Sequence, residues 1–192
     1  MAKSISGIGL MIYAATMLIF FGLYFFGMNT DYFNNSLLLN AFLLPAVYLA
    51  GAYYSVDIWK KEGGKMNFTS VFGRSFKPMF IGGLLSILTM FAFLNFADQE
   101  AKNLLNYQYI ERQKTELNNE YQKAKVLMQE PEEKAELEKN YQARLQSFSP
   151  VMIKDKDMFS FRQFTYYFGA IMVFYVILSV FFASFFRTRG EH

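Results

Sequence analysis

The side chains that perform most protein chemistry are scarce in this 192-residue chain. Cys is absent and the single His is His192. That removes thiolate catalysis, Ser-His and Cys-His pairs, and nearly all zinc sites. Carboxylates, amides and cations remain. The paired acids Glu132-Glu133 and Asp155/Asp157 stand in charge-mixed stretches. Such a setting suits solvated faces, because a general acid–base dyad needs two carboxyls in environments that hold their pKa values apart. Asp57 lies near the end of an apolar run, three and four residues before Lys60 and Lys61. That spacing makes a pair on one helix face, although an acid in a membrane segment is also a candidate for ion or proton handling. Asn40 and Asn95 fall within or beside apolar runs, where an amide hydrogen-bonds between helices. With Asp57 they form the candidate interhelical polar set, and Asn40 and Asn95 are expected near the same end, able to face each other. Lys60, Lys61, Lys65, Arg74 and Lys77 are opposed within residues 60–77 only by Glu62. They are the candidate contacts for lipid headgroups. No catalytic residue, cofactor or metal site is expected.

The elements that must position these residues follow from the distribution of charge. Residues 98–160 hold 22 of the 35 charged residues and 2 of the 23 Phe. Outside that block, four apolar runs are each long enough to cross a hydrocarbon core of about 30 Å. They cover residues 5–28, 37–58, 78–96 and 164–186. The first is uncharged after Lys3, too long for a signal-peptide core, and ends without a small-x-small cleavage site, so it reads as a retained span. Asn29 to Ser36 reads as a polar turn. Pro45 predicts a kink in the second span, and Tyr53, Tyr54 and Trp59 mark its interfacial end. After the Gly63-Gly64 turn, Phe68, Val71, Phe72 and Phe76 recur at three- and four-residue spacings. They predict a separate amphipathic helix lying in the headgroup plane, with Pro78 opening the third span.

The charged block carries two helical stripes. One runs through Leu104, Leu105, Ile110, Leu117, Tyr121, Ala124 and Met128. The other uses Leu137, Tyr141, Leu145 and Phe148. Pro131 divides them, and Glu132 and Glu133 suit the first turn of the second helix. The expected architecture is all-α: four transmembrane helices, an amphipathic helix on the cytoplasmic side between spans 2 and 3, and an extracytoplasmic helical hairpin between spans 3 and 4. The units are residues 1–97, 98–162 and 163–192. Lys3, the 60–77 loop and Arg187 with Arg189 put both termini and that loop on one side, expected to be the cytoplasm. Gly82-x-x-x-Ser86, Ala46-x-x-x-Ala50 and Ser179-x-x-x-Ala183 are candidate close-packing faces. A net charge of +3 is too mild for a nucleic-acid partner.

The layout resembles one bacterial integral membrane family, domain of unknown function 4199. The residues that carry the likeness are Gly63-Gly64-Lys65-Met66-Asn67-Phe68, followed by Phe72 and Arg74. The resemblance implies an inner-membrane protein and assigns no reaction, cofactor or catalytic residue. The expected partners are the bilayer and another membrane protein, or further copies of the chain, reached through the 98–160 hairpin. The expected function is a non-enzymatic accessory or scaffold subunit. A small oligomeric transporter or channel is the alternative from the residues. A helper of a polyprenyl-phosphate sugar enzyme is the alternative suggested by the resemblance alone.

Overall fold

The computed structural model describes residues 4–128, 130–153 and 157–188. Lys3, Asp155, Arg189 and His192 therefore lie outside the described residues. Helix α1 is Ile5–Gly27, capped by Ser4, whose hydroxyl accepts from the Gly7 N–H at 3.0 Å. Helix α2, Tyr32–Leu38, runs through a π turn at Leu39–Leu43 into α3, Leu44–Lys61. Helix α4 is Phe68–Ala92, followed by a second π turn at Phe93–Ala97. Then come α5, Gln99–Leu127, α6, Pro131–Gln146, α7, Pro150–Ile153, and α8, Phe161–Phe186. No strand occurs among the described residues. Four helical stretches are long and apolar enough to cross a membrane: 5–27, 32–61, 68–97 and 161–186. The chain is a multi-pass membrane protein.

Three boundaries differ from the sequence reading. The polar turn is confined to residues 28–31, because Tyr32 already opens α2. Its ring is buried against Leu94, Ala101 and Leu105, so the span gains a turn by packing under the charged block. Pro45 is accommodated by the π turn before it. The Leu44 N–H reaches back five residues to the Leu39 carbonyl, and the widened turn relieves the clash that a proline ring makes one turn back. The separate amphipathic helix is not formed. Residues 68–77 are the first turns of α4, and Pro78 sits inside that helix, buried. A stacked ladder of Phe68, Phe72, Phe76 and Phe80, with centroids 5.6–6.4 Å apart, crosses the proline without a break. Val71 and Ser75 are buried on the same helix, so packing on both sides of Pro78 outweighs the lost hydrogen bond.

Helix α4 is central and touches α1, α3 and α8. Small residues make this possible. A Cβ on Gly82 would lie 2.7 Å from Ile12 Cγ2 and 2.9 Å from the Gly9 carbonyl oxygen, and one on Gly83 would meet Tyr175. Gly82 and Ser86 are both buried, as are Ser179 and Ala183, so these two small-residue faces are packing faces. Ala46 and Ala50 are exposed, and their pattern marks no helix contact. Ile8, Ile12, Tyr48, Val56, Met79, Tyr175 and Phe182 fill the bundle centre.

Helix α5, 29 residues and about 44 Å long at 1.5 Å per residue, continues the third span beyond the bundle. Ala101, Leu105, Ile110, Leu117 and Tyr121 are its buried stripe. Helix α6 returns along it and has no buried residue. Its predicted stripe of Leu137, Tyr141 and Leu145 is only half-buried. Tyr121 and Tyr141 stack at 4.3 Å, and the Tyr121 hydroxyl donates to Glu138.

Candidate functional site

The polar residues gather at the two ends of the bundle. At the hairpin end, the second π turn decides the geometry. The Asp98 N–H reaches back five residues to the Phe93 carbonyl at 2.9 Å. This turns Asp98 into an N-cap for α5, accepting from the Glu100 and Ala101 N–H groups at 3.0 Å. Its other oxygen accepts from the Tyr24 hydroxyl at 2.6 Å, which ties α5 to α1. The Tyr24 bond and the backbone donors hold the Asp98 carboxyl below its ordinary range.

A second knot fastens the chain where it returns from the hairpin. Lys102 Nζ lies 2.7 Å from Asp157 Oδ2 and donates to Asn95 Oδ1 at 2.9 Å. Asn106 donates to Asp157 at 2.9 Å and accepts from the Met158 N–H at 3.1 Å. Asn95 Nδ2 donates to the Phe159 and Phe91 carbonyls, both at 3.0 Å. Burial raises the Asp157 pKa, but Lys102, Asn106 and the Phe159 N–H outweigh it, so the carboxyl sits below its ordinary value. On the outer side of α5, Gln108 accepts from the Phe33 N–H and donates to the Asn29 carbonyl, each at 2.7 Å, while Arg112 donates to Asn34 at 3.0 Å. A groove of about 790 Å³ runs here between α5 and residues 29–34, the turn and the start of α2. These bonds across it make it a seam that holds the hairpin to the bundle.

The basic end is built from the start of α4 and the loop before it. Gly63 takes φ +73°, a left-handed turn that favours glycine. Gly64 lies against the Trp59 ring, where a Cβ would come within 2.1 Å of Cε2. Trp59 Nε1 donates to the Lys65 carbonyl at 3.2 Å. Met66 is buried and its carbonyl accepts from the Thr188 N–H at 2.9 Å, joining the loop to the end of α8. Asn67 caps α4 by accepting from the Ser70 N–H at 2.8 Å. The Arg74 guanidinium stacks 4.0 Å over Trp59. The glycines, Asn67 and Arg74 of the sequence motif thus have structural roles around one tryptophan. A groove of about 230 Å³ lies beside it, lined by Ile5, Trp59, Thr69, Ser70, Gly73, Arg74 and Lys77.

The sequence-predicted residues divide accordingly. Asn95 bridges α4, α5 and the return segment. Asn40 is exposed, and among the described residues its side chain has no hydrogen-bond partner, so the two amides do not pair. The π turn sets the register around Asn40 and leaves it on the outer surface. Asp57 pairs with Lys61 on its own helix at 2.7 Å, so it is a local rather than an interhelical group. Lys60, Lys61, Lys65 and Lys77 are exposed and Arg74 is half-buried. Among the described residues no group of three or more His, Asp or Glu side chains is placed to hold a metal ion. Sequence reasoning missed Tyr24, Asp98, Lys102 and Asn106. Asp98 carried the signal of an N-cap before a charged helix. Lys102 and Asn106 lie one turn apart on α5, but their partner Asp157 is 51–55 residues away, and no periodicity reports such a pairing.

A family described as "Protein of unknown function (DUF4199)" matches residues 8–188, and the chain belongs to it. No curated protein and no solved structure matches the chain.

Proposed function

We propose that this member of the DUF4199 family is a non-enzymatic accessory subunit of a bacterial inner-membrane assembly, which holds its 98–160 hairpin out to another membrane protein or to a second copy of itself. One observation supports this reading above the others. Helix α6 has no buried residue, although the base of α5 is fastened by two polar knots. An arm held firmly at its root with one helix hardly covered is suited to presenting a surface. Val126 and Leu127 at its tip are 83% and 80% exposed. The packed centre around Tyr48, Met79 and Tyr175 favours anchoring spans over a conducting path. In this reading the basic end faces the cytoplasm. Lys60, Lys61, Lys65, Arg74, Lys77 and Arg187 stand there against Asp57 and Glu62. Since the chain has no cysteine, a Lys65→Cys variant tests this directly, with labelling by an impermeant maleimide expected only from the cytoplasmic side.

The test of the function is crosslinking in native membranes, followed by purification in mild detergent. The full chain is compared with a variant carrying Glu132→Lys, Glu136→Lys and Lys139→Glu on the exposed side of α6. A discrete crosslinked species that is lost in the variant supports the proposal. A chain that stays monomeric, or a species that survives the charge reversals, overturns it.

A further inference from the structure

We propose that the groove beside Trp59 is a binding site for a phosphate group, supplied by an anionic lipid headgroup. Two cations without a carboxylate partner among the described residues line this one groove. At the hairpin end, Lys102, Arg112, Lys114 and Arg144 each lie within 4 Å of a carboxylate, and Lys123, Lys125, Lys134 and Lys139, which among the described residues do not, stand exposed outside any such groove. At the basic end, Lys61 is matched by Asp57. Arg74 and Lys77 line the groove, and among the described residues neither has a carboxylate partner. No residue lining the groove is acidic. Two uncompensated cations on adjacent turns of one helix, i and i+3, set a positive field over one spot.

The groove also has fixed geometry. The Arg74 guanidinium carbon is held 4.0 Å from the Trp59 ring centroid, a fixed position from which its N–H groups can donate. The hydroxyls of Thr69 and Ser70 lie one turn earlier, at i−4 from Gly73 and Arg74. Gly73 forms the floor, where a Cβ would meet only Lys77 Cε at 3.9 Å. A forked donor, an ammonium and two hydroxyls around a cavity of about 230 Å³ match the oxygens of a phosphate. Its level favours a lipid source. Trp59, with the exposed Tyr53 and Tyr54, marks the headgroup layer, where phosphates are most concentrated.

Trp59 is the only tryptophan, so its fluorescence reports on this groove alone. The full chain is reconstituted in vesicles of brominated phosphatidylcholine, and quenching of Trp59 is followed as unbrominated phosphatidylglycerol replaces it. Two cations at the headgroup layer predict about a thirtyfold preference for phosphatidylglycerol over unbrominated phosphatidylcholine. Three variants separate a built site from general attraction. Arg74→Gln with Lys77→Gln removes the ligands, Gly73→Leu fills the floor while keeping every charge, and Lys60→Gln with Lys65→Gln removes equal charge outside the groove. The proposal expects the first two to lose the preference and the third to keep it within about twofold. A Cβ at position 73 meets only Lys77 Cε, at an ordinary contact distance, and leucine improves helix propensity, so the backbone tolerates the substitution. Inorganic phosphate is then added to wild type at fixed ionic strength. No effect on the preference assigns the site to lipid phosphate, while competitive loss assigns the same chemistry to a soluble phosphate compound. No preference in wild type, a preference kept by Gly73→Leu, or a loss in the Lys60→Gln with Lys65→Gln variant equal to that in the Arg74→Gln with Lys77→Gln variant, overturns the proposal.

Discussion

Replacing Lys102 by Met should unfasten the return from the hairpin without unfolding the bundle. Lys102 Nζ makes two contacts, to Asp157 at 2.7 Å and to Asn95 at 2.9 Å. The side chains of Lys102 and Asp157 are 18% and 31% exposed. An exposed pair is worth about 0–1 kcal/mol, and breaking a buried pair costs about 3–5 kcal/mol. Partial exposure places this pair between those limits, at about 2 kcal/mol. Asp157 keeps its bonds from Asn106 and the Phe159 N–H, which prevents the full penalty of an unpaired buried charge. At 1.36 kcal/mol per decade, the locally open form becomes about 30-fold more populated. The Met158 and Phe159 amides are bonded within this knot, so their hydrogen exchange should accelerate by about that factor. Amides in the middle of α4 should not change. Asp157→Asn added to Lys102→Met should cost much less than it does alone, because both act on one contact. Acceleration below twofold, or additive effects of the two substitutions, would refute the reasoning.

Three further outcomes follow from the same geometry. Asp157 and Glu138 have folded pKa values below their unfolded ones, the first through Lys102 and Asn106 against an opposing effect of burial, the second through Gln142 and Tyr121. Each stabilises the hairpin above its unfolded pKa of about 4, and that contribution is lost as pH falls through the lower folded value. Spin labels on Leu38→Cys and Lys139→Cys should therefore report a fixed distance at neutral pH and a broader one only below about pH 4, and broadening near pH 6 would contradict this. Gly82→Ala should destabilise the bundle by about 1–3 kcal/mol, since its Cβ meets backbone as well as Ile12, and an unchanged Tm in detergent would count against the close α1–α4 crossing. Asn95→Leu should destabilise by about 1–3 kcal/mol by leaving Lys102 and the Phe159 carbonyl short of a partner, whereas Asn40→Leu should be close to neutral in the same melt.

The apolar runs of the sequence were enough to place four spans, because a stretch that must exclude charge over a bilayer's thickness leaves a long signal. The hairpin was legible too, through Pro131 at its second helix start and the Leu105–Leu117–Tyr121 stripe. Local cues failed where packing decided the outcome. Pro78 has the local signature of a helix start, yet stacked phenylalanines and the burial of Val71 and Ser75 carry α4 through it. The π turn before Pro45 shifts the register by one residue and leaves Asn40 on the outside, a rotation that no count of spacings contains. The two knots at the hairpin base join residues 51–74 positions apart. Single residues of common types paired at that range leave no periodic trace. At the basic end the charges were legible, but not that Arg74 and Lys77 lack carboxylate partners while Lys61 has one.

Photo-crosslinking inside native membranes tests the central claim most directly. A photoreactive residue is placed singly at Glu132, Glu136 or Lys139 on α6, and as reference at Leu18 or Phe181, which are exposed on the spans. The account predicts one discrete protein adduct, a partner or a second copy, from the α6 positions, and mainly lipid adducts from the reference positions. Absence of any protein adduct from α6, or the same adducts from both sets, would contradict it.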